Sequence, residues 1–363
     1  MEIISGKTKW RNLIKLTKYD FIVGGLMALS NLVMWALLGK SAFKSILSYG
    51  DGYKYAFVSK HFYKSVGSVC YYSILPMTPL ILTFFRFLCF GNIEIAAAIY
   101  VMITAILSSL AFYRFLIVMK IKSPEFFACI LPVFTFRYAA IHTVLNSDSL
   151  FLFFAFIALT SIKIHNKKVA FVATSLSLLT NYQGIVLAIS LFLFYIYSGI
   201  KKNGHFSKTA ILFLSSLLFL VPVQIFQSLT SKSLFSLFKE KYITSKEFSK
   251  YPLESFIYQS SSISHLGSFH ILFLFYFIGI IGVQFTSESL LVYIVGITFY
   301  IYSFFLKLDK LFDNTILFEI LVVIIGFHQF VLMKKTEMTI FLVFYYIIII
   351  FVSYKSILLN SRK

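Results

Sequence analysis

Asp51 is the single carboxylate in the seventy-odd residues between Asp20 and Glu94. It lies in Tyr49-Gly50-Asp51-Gly52-Tyr53-Lys54-Tyr55, where two glycines allow a tight backbone turn. Tyr55, His61 and Tyr63 follow at plus four, plus ten and plus twelve, and Leu75-Pro76-Met77-Thr78-Pro79-Leu80 comes next. Taken alone, an acid beside glycine is also the composition of a solvated turn. Further on, Arg137 and His142 sit inside an apolar stretch. A charge there costs at least about 2.5–3.5 kcal/mol on insertion scales, so it faces protein, water or the interface. Arg86 and Arg114 are weaker cases of the same kind. Asp148 then stands in Asn146-Ser147-Asp148-Ser149-Leu150-Phe151, either as an acid of a site or as the N-cap of a helix starting at Ser149. Asn181 and Gln183 occupy Leu179-Thr180-Asn181-Tyr182-Gln183-Gly184.

Other chemistries have little to stand on. The chain contains no GxxxxGK[ST], HExxH or GxSxG pattern. The seven histidines are scattered without ligand spacing, so no metal site is expected. Ser260–Ser264 and His265 fall in a loose polar loop, a poor place for a nucleophile. Cys70, Cys89 and Cys129 form no CxxC pair and read as small hydrophobes.

The elements that must hold these residues are membrane helices. Of 363 residues 59% are hydrophobic and 13% charged, with mean hydropathy +0.86. A soluble domain carries roughly 25% charged residues and could not hide this much Phe, Ile and Leu. The net charge of +19 therefore reads as basic flanks of spans and attraction to anionic lipid, not as a nucleic-acid footprint.

Crossing a hydrocarbon core of roughly 30 Å takes about 20 residues. The first such segment is 21–39, preceded by Lys7, Lys9, Arg11, Lys15 and Lys18, which place the N-terminus in the cytoplasm. No small-residue cleavage site follows, so this segment reads as an anchor. Others lie near 71–90, 95–119, 126–146, 150–163, 168–181, 184–199, 208–228, 269–285, 288–306, 314–333 and 338–356. The basic loops at Lys120/Lys122, Lys163–Lys168 and Lys201–Lys208 all face the cytoplasm if 71–90 dips in and returns. The loop 40–68, the loop 146–149 and the turn 181–184 then share the outer face. Five lysines in 40–68 (Lys40, Lys44, Lys54, Lys60, Lys64) run against the positive-inside rule and suggest a folded functional loop or an anionic ligand there.

Asp51-Gly52, Tyr55, His61 and Tyr63 resemble the WDGxWYxxIAxxGY signature of the GPI mannosyltransferase II family and its prokaryotic relatives, in the glycosyltransferase C superfamily. Pro76 to Pro79 matches its Pro-x-x-Pro, Asn146–Phe151 its Tyr-x-Glu-Ser-Leu-Phe with Asp148 in place of the acid, and Thr180–Gly184 its Thr-Arg-x-x-Gly. The likeness covers roughly residues 20–200. Gly50 and Lys54 replace the family's tryptophans, Phe62 its glycine, and its Arg is missing near Asn181.

The resemblance implies an all-α polytopic membrane protein of about ten to twelve helices. Residues 1–200 would form the catalytic module with the loop 40–68, and 201–363 a C-terminal region with a polar loop at 229–268. It implies inverting transfer of mannose, or another hexose, from a dolichyl- or polyprenyl-phosphate sugar to a lipid-linked or extracytoplasmic glycan. Asp51 would be the general base; Tyr55, His61, Tyr63, Arg137, His142, Asp148, Asn181 and Gln183 would bind substrate, with Arg137 and His142 candidates for the donor phosphate. No cofactor or metal is implied. The membrane would be the ER in a eukaryote and the plasma membrane in a prokaryote, with a partner membrane subunit allowed. The rival reading is a non-catalytic polytopic protein, a lipid or solute transporter or a scaffold subunit, although paired broken helices in two related halves are not evident.

Overall fold

A computed structural model describes residues 15–38, 51–63, 74–119, 142–203, 208–231 and 287–303, with residues 44, 46–47, 71, 121, 124–126 and 128–129 between them. Among the described residues all regular structure is helical. The chain divides into two compact units, residues 1–188 with 212–240 and residues 189–211 with 241–363.

In the first unit, α1 (Lys18–Leu38) carries Asp20 in its first turn, and the Asp20 carboxylate accepts from the Thr17 amide and hydroxyl. Its buried stripe is Asp20, Val23, Met27 and Asn31, spaced three and four apart so that one face meets protein. Phe21, Ile22, Leu26, Leu29, Leu32 and Val33 cover the rest and are exposed. α2 (Gly52–His61) is short and ends at Phe62 with φ 47°, a left-handed position more usual for glycine. Next come α3 (Met77–Leu88) and α4 (Ile93–Val118), joined by a turn in which Phe90 and Gly91 have φ 52° and 87°. Asn92 caps α4, its side-chain oxygen accepting from the amides of Glu94 and Ile95 at 3.0 and 3.1 Å.

α4 is the hub. Its buried face carries Ala96, Ala97, Ala98, Ala105, Ser108, Ser109 and Ala111, small residues that let neighbouring backbones approach. α1 packs antiparallel along it, with Asp20 against Arg114 and Gly24 opposite Ile106. α5 (Asp148–Lys163) runs parallel to it; Phe156 contacts Phe112 and Phe115 with centroids 5.1 and 5.6 Å apart. α6 (Lys167–Thr180) returns beside α5 after a turn at His165 and is capped by Asn166.

α7 (Gln183–Asn203) follows, then α8 (Lys208–Ser215) and α9 (Leu220–Ser231), separated by a 3₁₀ turn over Ser216–Phe219. Pro222 explains the interruption, since its ring lacks an N–H and crowds the carbonyl four residues back. In the second unit, α10 (Ser287–Ser303) buries Leu291, Val295 and Phe299, one residue per turn along a single stripe.

Among the described residues, three helices are long and apolar enough to cross a membrane: Lys18–Ala36, Ile93–Val118 and Gln183–Ile200. α5 and α6, with 16 and 14 residues, reach only about 24 and 21 Å. The segment read at 71–90 is a 12-residue helix that starts at Met77 and turns back at 89–92. The segments near 269–285, 314–333 and 338–356, and most of 126–146, lie outside the described residues.

Candidate functional site

Three segments far apart in sequence meet at the start of α5. The Tyr55 hydroxyl donates to Ser147 Oγ at 2.9 Å, across 92 residues of chain. Asn181 Nδ2 donates to the same Ser147 Oγ at 3.0 Å and to Asp148 Oδ1 at 2.8 Å. Asn181 Oδ1 accepts from the Gln183 amide, so one side chain ties the end of α6 to the start of α7 and to α5. Tyr100 of α4 extends the cluster, its hydroxyl 3.2 Å from the Asn146 carbonyl and 3.3 Å from Thr78 Oγ1.

Each segment has a local reason for its course. Asn146 Oδ1 accepts from the amides of Asp148 and Ser149, so Asn146 caps α5. The capping role considered for Asp148 is thereby filled by its neighbour, and its carboxylate is left to meet Asn181. Gly184 is needed for room: a Cβ there would lie 2.6–2.7 Å from the backbone of Ser177 and Leu178. Gly52 is needed for the same reason, with the Leu47 carbonyl oxygen 2.6 Å from where its Cβ would be. The tight turn expected of Gly52 is thus really a close approach; Gly50 lies outside the described residues.

Asp51 stands just before α2. Its carbonyl accepts from the amides of Lys54 and Tyr55, and its carboxylate makes no capping bond to the helix. Oδ1 lies 2.6 Å from Lys54 Nζ, and the Asp51 side chain is 50% exposed. Tyr55, one turn along, is buried. Burial first, and then the negative charge of Asp51, push its phenol well above the ordinary value, with Asp148 adding to the effect. Tyr55 is therefore a neutral donor lying between two carboxylates.

The remaining sequence candidates divide. His61 lies six residues beyond Tyr55, about 9 Å along α2 and on another face, its ring tilted against Phe57 with centroids 4.7 Å apart. Tyr63 is buried, with its hydroxyl donating to the Ile74 carbonyl at 2.6 Å and its ring edge-on to Phe226. That geometry makes it an anchor for the chain leaving α2. His142 is fully buried, its ring nitrogens 2.7 Å from Ser149 Oγ and 3.3 Å from Ser108 Oγ. It braces the start of α5 against α4 beneath the cluster. Gln183 is buried at the start of α7. Arg137 lies outside the described residues. Arg114 is held by Asp20 at 2.6 Å, the internal salt bridge that a buried cation needs.

Sequence reading missed Ser147, where two of the three segments meet the third, and Tyr100 beneath it. Ser147 has a faint signal, a run of small polar residues just before an apolar helix. Among the described residues no group of three or more His, Cys, Asp or Glu side chains could hold a metal ion. Comparison with protein-family models, curated proteins and solved structures returns no match.

Proposed function

We propose that the chain is a polytopic membrane glycosyltransferase of the glycosyltransferase C type. It would move mannose, or another hexose, from a dolichyl- or polyprenyl-phosphate sugar to a hydroxyl of a lipid-linked or extracytoplasmic glycan. One observation carries the reading. Three of the four segments that resemble the GPI mannosyltransferase II signatures are brought to one place by Tyr55, Ser147, Asp148 and Asn181. A coincidental match of short motifs gives no reason for them to meet. The left-handed backbone at Phe62, where that family has glycine, supports it as well.

In this reading the acceptor hydroxyl oxygen attacks the anomeric carbon as the bond to the phosphate oxygen breaks. Asp51 takes the hydroxyl proton, and the lipid phosphate departs as an anion that needs no proton. A single displacement inverts the anomeric centre, and one base suffices where a hydrolase needs a carboxylate pair. Half-exposed Asp51 can reach an incoming alcohol, and the Lys54 ammonium lies beside it at 2.6 Å. Neutral Tyr55 and the Asn181–Asp148 pair hold the floor on which the sugar would sit.

The test is sugar transfer in membranes carrying the chain or its Asp51→Asn variant, read by mass spectrometry of lipid-linked glycans. Loss of a general base should cost about 10²–10⁴-fold in rate, with expression and melting unchanged. Transfer that survives the substitution removes Asp51 from the chemistry. No hexose difference between membranes with and without the chain favours a transporter or scaffold.

A further inference from the structure

Among the described residues, helix α3 carries an exposed apolar face. Leu80, Phe84, Phe87 and Leu88 recur four, seven and eight residues apart, which places them on one stripe, and all are exposed. Phe87 is 80% exposed, and Phe90 in the following turn is fully exposed. The opposite face, Thr78, Leu82 and the partly buried Phe85, packs into the core with Ala96 and Ala97 of α4.

The helix has the wrong length for a span and the right one for half of it. Its 12 residues extend about 18 Å, against about 15 Å for one leaflet's hydrocarbon. Its depth follows from its neighbours. α3 folds back along the first turns of α4, with Thr78 near Tyr100 and the turn at the start of α4. α1 runs antiparallel to α4 with Gly24 opposite Ile106, so its C-terminal end comes level with that same turn. α3 thus lies beside the first half of α4, which is itself long and apolar enough to cross a bilayer.

We propose that the α3–α4 hairpin is a half-depth lipid anchor. Leu80, Phe84, Phe87 and Leu88 would lie among acyl chains, and Phe90 at the interface. The proposal rests on the chain's place in a membrane and not on sugar transfer.

The experiment uses the full chain in phosphatidylcholine vesicles. An environment-sensitive fluorophore is placed at Phe87→Cys, with Leu29→Cys on the exposed face of α1 and Lys60→Cys as references, after Cys70, Cys89 and Cys129 are changed to Ser. At position 87 we expect blue-shifted emission that nitroxide-bearing lipid quenches and aqueous iodide does not. Iodide quenching at 87 would place the hairpin in water, and protection from both quenchers would place it under a second copy or another protein. Either overturns the anchor. If Leu29 is also quenched by iodide, the membrane reading fails first, which separates the two. Should the cysteine-free chain not fold, the unmodified chain with a diazirine phospholipid gives the same answer: crosslinks should map to residues 80–90, and their absence there overturns the proposal.

Discussion

Asp20 and Asp51 stand near opposite ends of the first long helix, and their surroundings differ in kind. Asp20 is 3% exposed and meets Arg114 at 2.6 Å, with the Thr17 amide and hydroxyl on the same oxygen. Arg114 also donates to the Lys15 carbonyl, which locks the approach to α1 onto the last turns of α4. Asp51 makes an equally short contact with Lys54, but its side chain is half in solvent and its partner sits one turn away on the same helix. A buried pair is structural because neither charge can be stranded without large cost. An exposed pair contributes little and opens easily. The contrast shows that contact distance alone does not separate a staple from a site; exposure and what lies beside the acid do. Beside Asp51 lies Tyr55 and, through it, the Ser147–Asp148–Asn181 cluster.

The comparison can be broken most forcefully at the staple. Arg114→Leu leaves the Asp20 carboxylate buried without its cation and should lower stability by about 3–5 kcal/mol, read as thermal unfolding in detergent. Leucine at both positions should recover most of the loss; failure to do so would mean that Arg114 acts elsewhere. Next comes Gly184→Ala, whose Cβ meets the Leu178 backbone nitrogen at 2.6 Å. Overpacking of this kind costs about 1–3 kcal/mol, and it should reduce sugar transfer more than Arg114→Leu does among the molecules that remain folded.

Tyr55→Phe removes the link between α2 and Ser147 and should cost about 0.5–1.5 kcal/mol. The sign of its pH dependence follows from the raised phenol. The folded chain holds the Tyr55 proton more tightly than the unfolded one, so the tyrosine's contribution is full below about pH 10 and falls as pH rises further. The Phe variant should lack that part of the alkaline slope. Smallest is Lys54→Met, where an exposed pair predicts a change below about 1 kcal/mol. A larger loss would make Asp51 and Lys54 a second staple and remove the contrast with Asp20.

Much of the helical scaffold was legible because its signals are local. The apolar runs at 21–39, 95–119, 150–163 and 168–181 fall within a few residues of α1, α4, α5 and α6. The segment read as dipping in and returning over 71–90 is instead a single helix, α3, and the chain turns back only at 89–92. The site was legible only as separate pieces. That Ser147 would join Tyr55 to Asn181, that Asn146 rather than Asp148 would cap α5, and that Gly52 and Gly184 answer to crowding all depend on residues distant in the chain. Likewise, Arg114 and His142 look alike in sequence as polar groups in apolar runs. One meets a carboxylate and the other two hydroxyls.

By itself, then, the sequence determined that the chain is helical and strongly apolar, and which segments carry its rare polar groups. Periodicity and hydropathy act over a few turns and survive without knowledge of the fold. Only the tertiary structure decided which of those groups face one another, since a hydrogen bond depends on ångström-scale placement that spacing along a chain does not set.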